Sequence, residues 1–380
     1  MSLTTRIWGL TLANPVVVAP SPVTECLRGI IAAEQAGAGA VITKSVGPHN
    51  DGPEPGTDRR QVRYYRGLGM WMQSTYRREI LPLRDGERLV RDAKQRVGIP
   101  VIGSVFSASF DVGEWTRLAC ALADAGADAV HLDFFYLPVD RPLGDRADAL
   151  RSILETVVGA VSVPVVVKLS MHSDWVGIAT VAEQTGAAGL CYLDSARLGN
   201  PRQPEDPSIY MLPGPPASMC ALAGEWLRPL TMHCTDQLRQ MTSMDLCAGG
   251  GLTEAWHGVE ALVRGADAIQ LCTAILVDGW HVIGRFTDAI QAFLTSKQLA
   301  SMDELRAARL LPAFATADAA PAVRARVLLD LCSGCGRCTE VTICEAIGVE
   351  GGRASVDGDA CEGCGLCASI CPARAIVMGA

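Results

Sequence analysis

Up to about residue 300 the chain alternates short, almost wholly apolar runs with longer stretches in which apolar residues recur every three or four positions. The runs are NPVVVAP (14–20), AVITKS (40–45), PVIGSVF (100–106), DAVHLDFF (128–135), PVVVKLS (164–170), AGLCYLDS (188–195), DLCAGGG (245–251) and DAIQLCT (267–273). Runs this short and this uniformly apolar suit strands buried on both faces. Between them, LRGIIAAEQAGA, WTRLACALADAGA, ADALRSILETVVGA, WVGIATVAEQTGA and AWHGVEALVRGA carry the helical period. Several stop at a Gly followed by Ala and the next strand, as helices do. Eight strands with helices between most of them predict an α/β fold, a closed (β/α)8 TIM barrel over residues 1–300. An open doubly wound sheet is the alternative.

Two connections interrupt the rhythm, residues 46–99 and 196–244. Loops of this length are usually functional or disordered, and in a barrel they sit over the active face. The first carries Trp71, Tyr76 and the arginines 59, 60, 63 and 66; it reads as a solvated surface loop, with a lid or anion contact as the alternative. Residues 301–328 read as a helix and an Ala/Pro linker. No internal repeat is evident beyond the alternation.

The last 49 residues change character, with eight cysteines in two runs. Cys361, Cys364, Cys367 and Cys371, followed by Pro372, have the C-x2-C-x2-C-x3-C-P spacing of bacterial two-cluster ferredoxins. Cys332, Cys335, Cys338 and Cys344 repeat it with a longer last gap. In that pattern the fourth Cys serves the other cluster. One 4Fe–4S cluster would use Cys332, Cys335, Cys338 and Cys371, and the second Cys361, Cys364, Cys367 and Cys344. Residues 329–380 are thus expected to form a small α+β ferredoxin domain. Zinc would be satisfied by fewer thiols.

Composition narrows the class. A net charge of −8 gives no footprint for nucleic acid. No apolar run reaches the ~20 residues of a membrane span. The other seven cysteines are scattered, and MSLTTRIWGL has no signal-peptide pattern, so a cytoplasmic protein with reduced thiols is expected.

Groups that act in a barrel lie at the C-terminal ends of its strands. Reading those ends gives Ala19, Lys44 and Ser45, Ser104, Asp133, Lys168, Asp194 and Ser195, Gly249–Gly251, and Cys272 with Thr273. Glycines after the seventh strand and a small polar residue after the eighth suit a phosphate site built from backbone N–H groups. Two strand-end lysines suit a cofactor ring that carries negative charge when reduced. No Gly-x-Gly-x-x-Gly opens a helix after a strand, so a built-in nicotinamide site is not expected.

In that order, NPVVVAPSPVT, AVITKS, VPVVVKLS, AGGGLTE, GADAIQLCTA and the cysteine runs resemble the flavin barrel and C-terminal ferredoxin of dihydropyrimidine dehydrogenase, and the wider dihydroorotate dehydrogenase family. The resemblance implies FMN held by Ala19, Lys44, Lys168, Ser195, Gly250, Gly251, Cys272 and Thr273. It implies hydride exchange with a C–C single or double bond, a homodimer, and electrons from an external ferredoxin or a flavoprotein NAD(P)H reductase subunit. The family's Leu-Asn-x-Ser-Cys-Pro is here Leu132-Asp133-Phe134-Phe135-Tyr136-Leu137, and its Asn-Thr after strand six is Asp194-Ser195. A pyrimidine needs amides that both donate and accept, and ionised carboxylates only accept. The expected substrate is therefore a small cyclic or conjugated nitrogen compound rich in donors or cationic, facing Asp133 and Asp194. Tyr136 is the candidate proton donor, and His131, on the strand face of Asp133, is a candidate partner to that carboxylate. Asp140 and Arg141 are reserves. The alternatives are a dihydropyrimidine or dihydroorotate dehydrogenase proper, and a non-catalytic electron-transfer subunit.

Overall fold

The computed structural model describes residues 1–49, 52, 59–65, 69–74, 76–135, 137, 144, 146–200, 202–203, 205–210, 212, 219–308, 323–340 and 344–379. The chain divides into two compact units, Met1–Leu310 and Leu311–Ala380.

In the first unit eight parallel strands close on themselves: β1 (Val16–Val18), β2 (Ala40–Ile42), β3 (Val101–Val105), β4 (Ala129–Asp133), β5 (Val165–Lys168), β6 (Gly189–Tyr192), β7 (Asp245–Gly249) and β8 (Ala268–Leu271). Each pairs in parallel with the next, and β8 pairs back onto β1. All eight fall within the apolar runs of the sequence, and the closed barrel, not the open sheet, is the fold. Helices follow the strands on the outside, from Leu27–Gln35 after β1 to Val282–Ser296 after β8.

Side-chain alternation along each strand divides the apolar residues between two cores, which is why the runs show no polar alternation. One core lies between strands and helices, with Val16, Val18, Val41 and Val101. The other fills the barrel with Val17, Ala40, Ile42, Ile102, Ala129, Val166, Cys191, Cys247 and Ala268. A hairpin, Thr5–Ile7 with Leu10–Leu12, closes the end where the strands begin. Its Ile7, Trp8 and Leu12 complete the inner core. Trp8 N donates to Asp245 Oδ2 at 2.5 Å. A Cβ at Gly189 would stand 2.5 Å from the Trp8 indole, so a glycine is needed there.

At the other end the two long connections meet. Gln61–Tyr65 and Gly69–Ser74 from one, and Ala196–Leu198 and Met219–Ala223 from the other, form one four-stranded antiparallel sheet. The reading of the first connection as a solvated loop is corrected for its described part, because the strand it needs as partner lies about 150 residues away.

The second unit pairs Arg324–Val327 with Ile376–Gly379 and Ile347–Glu350 with Arg353–Val356, each antiparallel, and adds the short helices Arg337–Glu340 and Leu366–Ile370. The strand Arg324–Val327 lies inside the stretch expected as linker. Its core is small: Ala325, Cys338, Ile347, Ala354 and Ile376. An internal repeat that sequence reading missed is plain here. Both cysteine loops have a Cys-x-Gly-Cys-Gly start, with Gly334 and Gly336 at φ +69° and +73°, and Gly363 and Gly365 both at +76°. A Cβ on Gly334 would meet Gly352 O at 1.9 Å, and one on Gly363 would meet Val323 O at 2.1 Å.

Candidate active site

The barrel mouth opens into a cleft. Its lining contains Ala19, Lys44, Lys168, Ser195, Gly250, Gly251, Cys272 and Thr273, which the sequence reading drew from six different strand ends. Asp133 and Asp194 join them. The antiparallel sheet covers the mouth with Met70, Met72, Ala221 and Ala223.

Each charged group in the cleft has a partner. Lys168, the last residue of β5, stands in register with Asp133 on β4. It is 2 % exposed, and its Nζ lies 3.2 Å from Asp194 Oδ2. Burial works against the ammonium, yet Asp194 and then Asp133 outweigh it and raise the lysine pKa. Burial pushes the Asp194 carboxyl up in spite of Lys168, and Asp133 adds to the rise. Lys44 Nζ bonds Glu79 Oε2 at 2.9 Å. Glu79 also takes Arg60 Nε at 2.7 Å, and Arg60 and Arg78 both reach Glu25. Burial opposes the Glu79 charge, but Lys44 and Arg60 hold its pKa down to about 2. Arg60 is therefore built into an ion-pair network; Arg66 lies outside the described residues.

Asp133 is fixed from two sides. Its Oδ1 accepts from Phe135 N at 3.2 Å and its Oδ2 from Ser45 Oγ at 2.9 Å. His131 is fully buried and does not bond Asp133 directly, as sequence reading allowed; Ser104 and Ser45 stand between them. Tyr136, Asp140 and Arg141 lie outside the described residues. Glu79 and Gln270 were missed: Glu79 ends a short helix far from any motif, and Gln270 sits inside the eighth apolar run, ahead of the strand end that was read.

The cleft suits a flavin nucleotide. Gly250 and Gly251 adopt φ +86° and +81°. A Cβ on Gly251 would meet Arg228 N at 2.3 Å, so the turn is confined to glycine. The buried Gln270 Oε1 lines the cleft with no hydrogen-bond partner among the described residues, a group left for a ligand donor.

In the second unit, Cys332, Cys335, Cys338 and Cys371 line one small cavity, although Cys371 belongs to the other run. Cys361, Cys364 and Cys344 are the thiols that act on Cys367. Backbone N–H groups of Ala354 and Gly334 lower the Cys332 thiol, and those of Ala325 and Gly363 do the same for Cys361. Among the described residues no three His, Cys or carboxylate side chains close on a single-ion site.

A 4Fe-4S binding domain model matches residues 354–377. Over the barrel, the chain is 25% identical across 310 residues to a putative dihydroorotate dehydrogenase A (fumarate) of Aeropyrum pernix, covering 80% of this chain and 96% of that one. It is 26% identical across 309 residues to the catalytic subunit of dihydroorotate dehydrogenase B (NAD(+)) of Thermoplasma acidophilum, and 27% across 319 to that of Methanocella arvoryzae, each with 80% of this chain and 97% of the relative covered. Over four fifths of its length the chain is similar to dihydroorotate dehydrogenases. The C-terminal match adds a 4Fe–4S-binding domain after the barrel. Among the described residues no helix is long and apolar enough to cross a membrane, and none of the seven scattered cysteines forms a disulfide with another described residue.

Proposed function

We propose that this dihydroorotate dehydrogenase relative reduces an activated C=C bond in a small nitrogen-containing ring or conjugated compound, using electrons delivered one at a time through two 4Fe–4S clusters. The observation that carries the substrate class is the charge of the cleft. Three carboxylates, Asp133, Asp194 and Glu79, line it against two lysines. A carboxylate substrate would enter a site whose cations are already paired, and desolvated like charges repel. A cationic or N–H-rich substrate finds acceptors, and leaves fewer of its own groups unpaired than a pyrimidine would, each such group costing ~1–3 kcal/mol.

When bound, FMN supplies hydride transfer to carbon. Lys168 and Lys44 would hold the ring, balancing its negative charge when reduced. Backbone groups of Gly250, Gly251 and Thr273 would hold the phosphate. Asp133 and Asp194 orient the substrate's N–H groups. Tyr136 is the proton donor in this reading, a phenol that stays protonated at neutral pH. Cys332, Cys335, Cys338 and Cys371 would hold one cluster, and Cys344, Cys361, Cys364 and Cys367 the other. The relatives named catalytic subunits support an external partner that supplies the electrons.

The test is an anaerobic preparation assayed for iron and flavin, reduced with dithionite and mixed with oxidants. About eight irons and one FMN per chain are expected. Reoxidation should be faster with unsaturated amidines or N-heterocyclic cations than with orotate or uracil. Fast reoxidation by orotate or uracil alone would overturn the substrate class. Iron without flavin would overturn the cofactor contacts.

A further inference from the structure

Beneath the cleft floor a line of hydrogen bonds runs from the open site into the sealed interior of the barrel. Asp133 Oδ2 accepts from Ser45 Oγ at 2.9 Å, Ser45 Oγ lies 2.8 Å from Ser104 Oγ, and Ser104 Oγ lies 2.9 Å from His131 Nδ1. Exposure falls from 6 % at Asp133 and 3 % at Ser45 to 0 % at Ser104 and His131. The register of β3 on β4 sets Ser104 directly beside His131. The other ring nitrogen, Nε2, has no hydrogen-bond partner among the described residues. The hydroxyl chain is the hydrogen-bonding contact of Nδ1, and the buried Cys191 thiol on β6 is a second titratable neighbour of the ring.

A hydroxyl has one proton to donate, so two hydroxyls in series between a carboxylate and an imidazole point one way at a time. With Asp133 ionised, Ser45 donates to it, Ser104 donates to Ser45, and His131 Nδ1–H donates to Ser104. With a donor at position 133, every bond reverses and Nδ1 must accept. Such chains strengthen cooperatively in a low-dielectric interior, so a mixed arrangement is disfavoured.

We propose that Asp133, Ser45, Ser104 and His131 form one proton relay, in which the protonation of the cleft carboxylate and the state of the buried imidazole change together. In the transfer step Ser45 gives its hydrogen to Asp133 Oδ2, Ser104 gives its own to Ser45, and His131 gives its Nδ1 hydrogen to Ser104. Three bonds to hydrogen break and three form. An imidazolium and a carboxylate become a neutral imidazole and a carboxylic acid, and no electrons are exchanged. Ser45, Ser104 and His131 are positioning residues that act through Asp133. The role rests on the reading of the cleft as the substrate site, and the test below needs no substrate.

The experiment is NMR of the holoenzyme labelled with 15N-histidine, with His131 assigned among the six histidines by its loss in His131→Gln. While Asp133 is ionised the wild type should carry a proton on Nδ1, on the neutral ring or on the imidazolium. In Asp133→Asn, Phe135 N–H needs the amide oxygen, which turns the NH2 toward Ser45. His131 should then shift to the Nε2–H form. Ser104→Thr keeps a hydroxyl and should keep this response; Ser104→Ala should abolish it. Ser45→Ala should also uncouple the two ends, should Asp133→Asn prove too unstable to study. A His131 signal unchanged between wild type and a folded, flavin-loaded Asp133→Asn, or a response that survives Ser104→Ala, overturns the relay. A failed substrate screen beside a responsive His131 would instead count against the substrate reading alone.

Discussion

At the scale of single residues the cleft depends on paired charge. Lys168→Met removes the one cation that pairs with Asp194 among the described residues and leaves Asp194 and Asp133 without it. Breaking a buried pair from one side costs up to ~3–5 kcal/mol, here reduced by the 29 % of the Asp194 side chain that stays open. The expected result is a lower denaturant midpoint and flavin lost on gel filtration. Glu79 gives a pH prediction with a definite sign. Its folded pKa is held at about 2 against an ordinary 4.5. That stabilisation is present above 4.5 and disappears as pH falls toward 2, and it is worth ~3 kcal/mol at neutral pH. Barrel unfolding followed by far-UV circular dichroism should weaken across that window, and Glu79→Gln should flatten the slope. The lysines were legible in the sequence because lysine at the end of a buried strand has few structural uses. Glu79, Ser45 and Ser104 gained their roles from register and from distant segments, which no local pattern encodes.

At the scale of elements, tight backbone approaches decide what can change. Gly189→Ala would drive a methyl into the Trp8 indole, since its Cβ has only 2.5 Å of room. Overpacking of this kind costs ~1–3 kcal/mol, to be read from a thermal midpoint, with the cleft left intact. The cover sheet is a separate case. Gly69 and Gly224 sit at φ +127° and +115°, where the Cβ of one would meet Ala223 O at 2.2 Å and that of the other Gly69 Cα at 2.8 Å. Gly224→Val should loosen the seating of Met70 and Ala223 over the cleft. Faster flavin dissociation is expected, with a smaller change in the melting midpoint than Gly189→Ala gives, because the sheet adds little to the barrel core.

For the whole molecule, the proposed reading assigns electron supply and chemistry to two units with unequal cores. The second unit has five buried residues in its cluster of apolar contacts, one of them a cysteine. So small a core is stabilised by what its thiols bind. Cys371→Ala tests the exchange of ligands between runs. Iron should drop from about eight toward about four per chain, and the cluster that disappears from the dithionite-reduced EPR spectrum should be the one that Cys332→Ala also removes. If Cys371→Ala instead matches Cys361→Ala, each run serves its own cluster.

The sequence by itself determined the barrel, the cysteine module and the strand-end groups of the cleft. Burial on both faces forces apolar runs, helices need their period, and cluster ligation demands fixed spacing, so each leaves a local trace. The tertiary structure decided everything that depends on what lies opposite. It joined two loops about 150 residues apart into one cover. It set Glu79 against Lys44, and it lined up Ser45, Ser104 and His131 behind Asp133. Those contacts arise from strand register and chain crossing, and their energies come from burial of polar groups whose partners are remote in sequence.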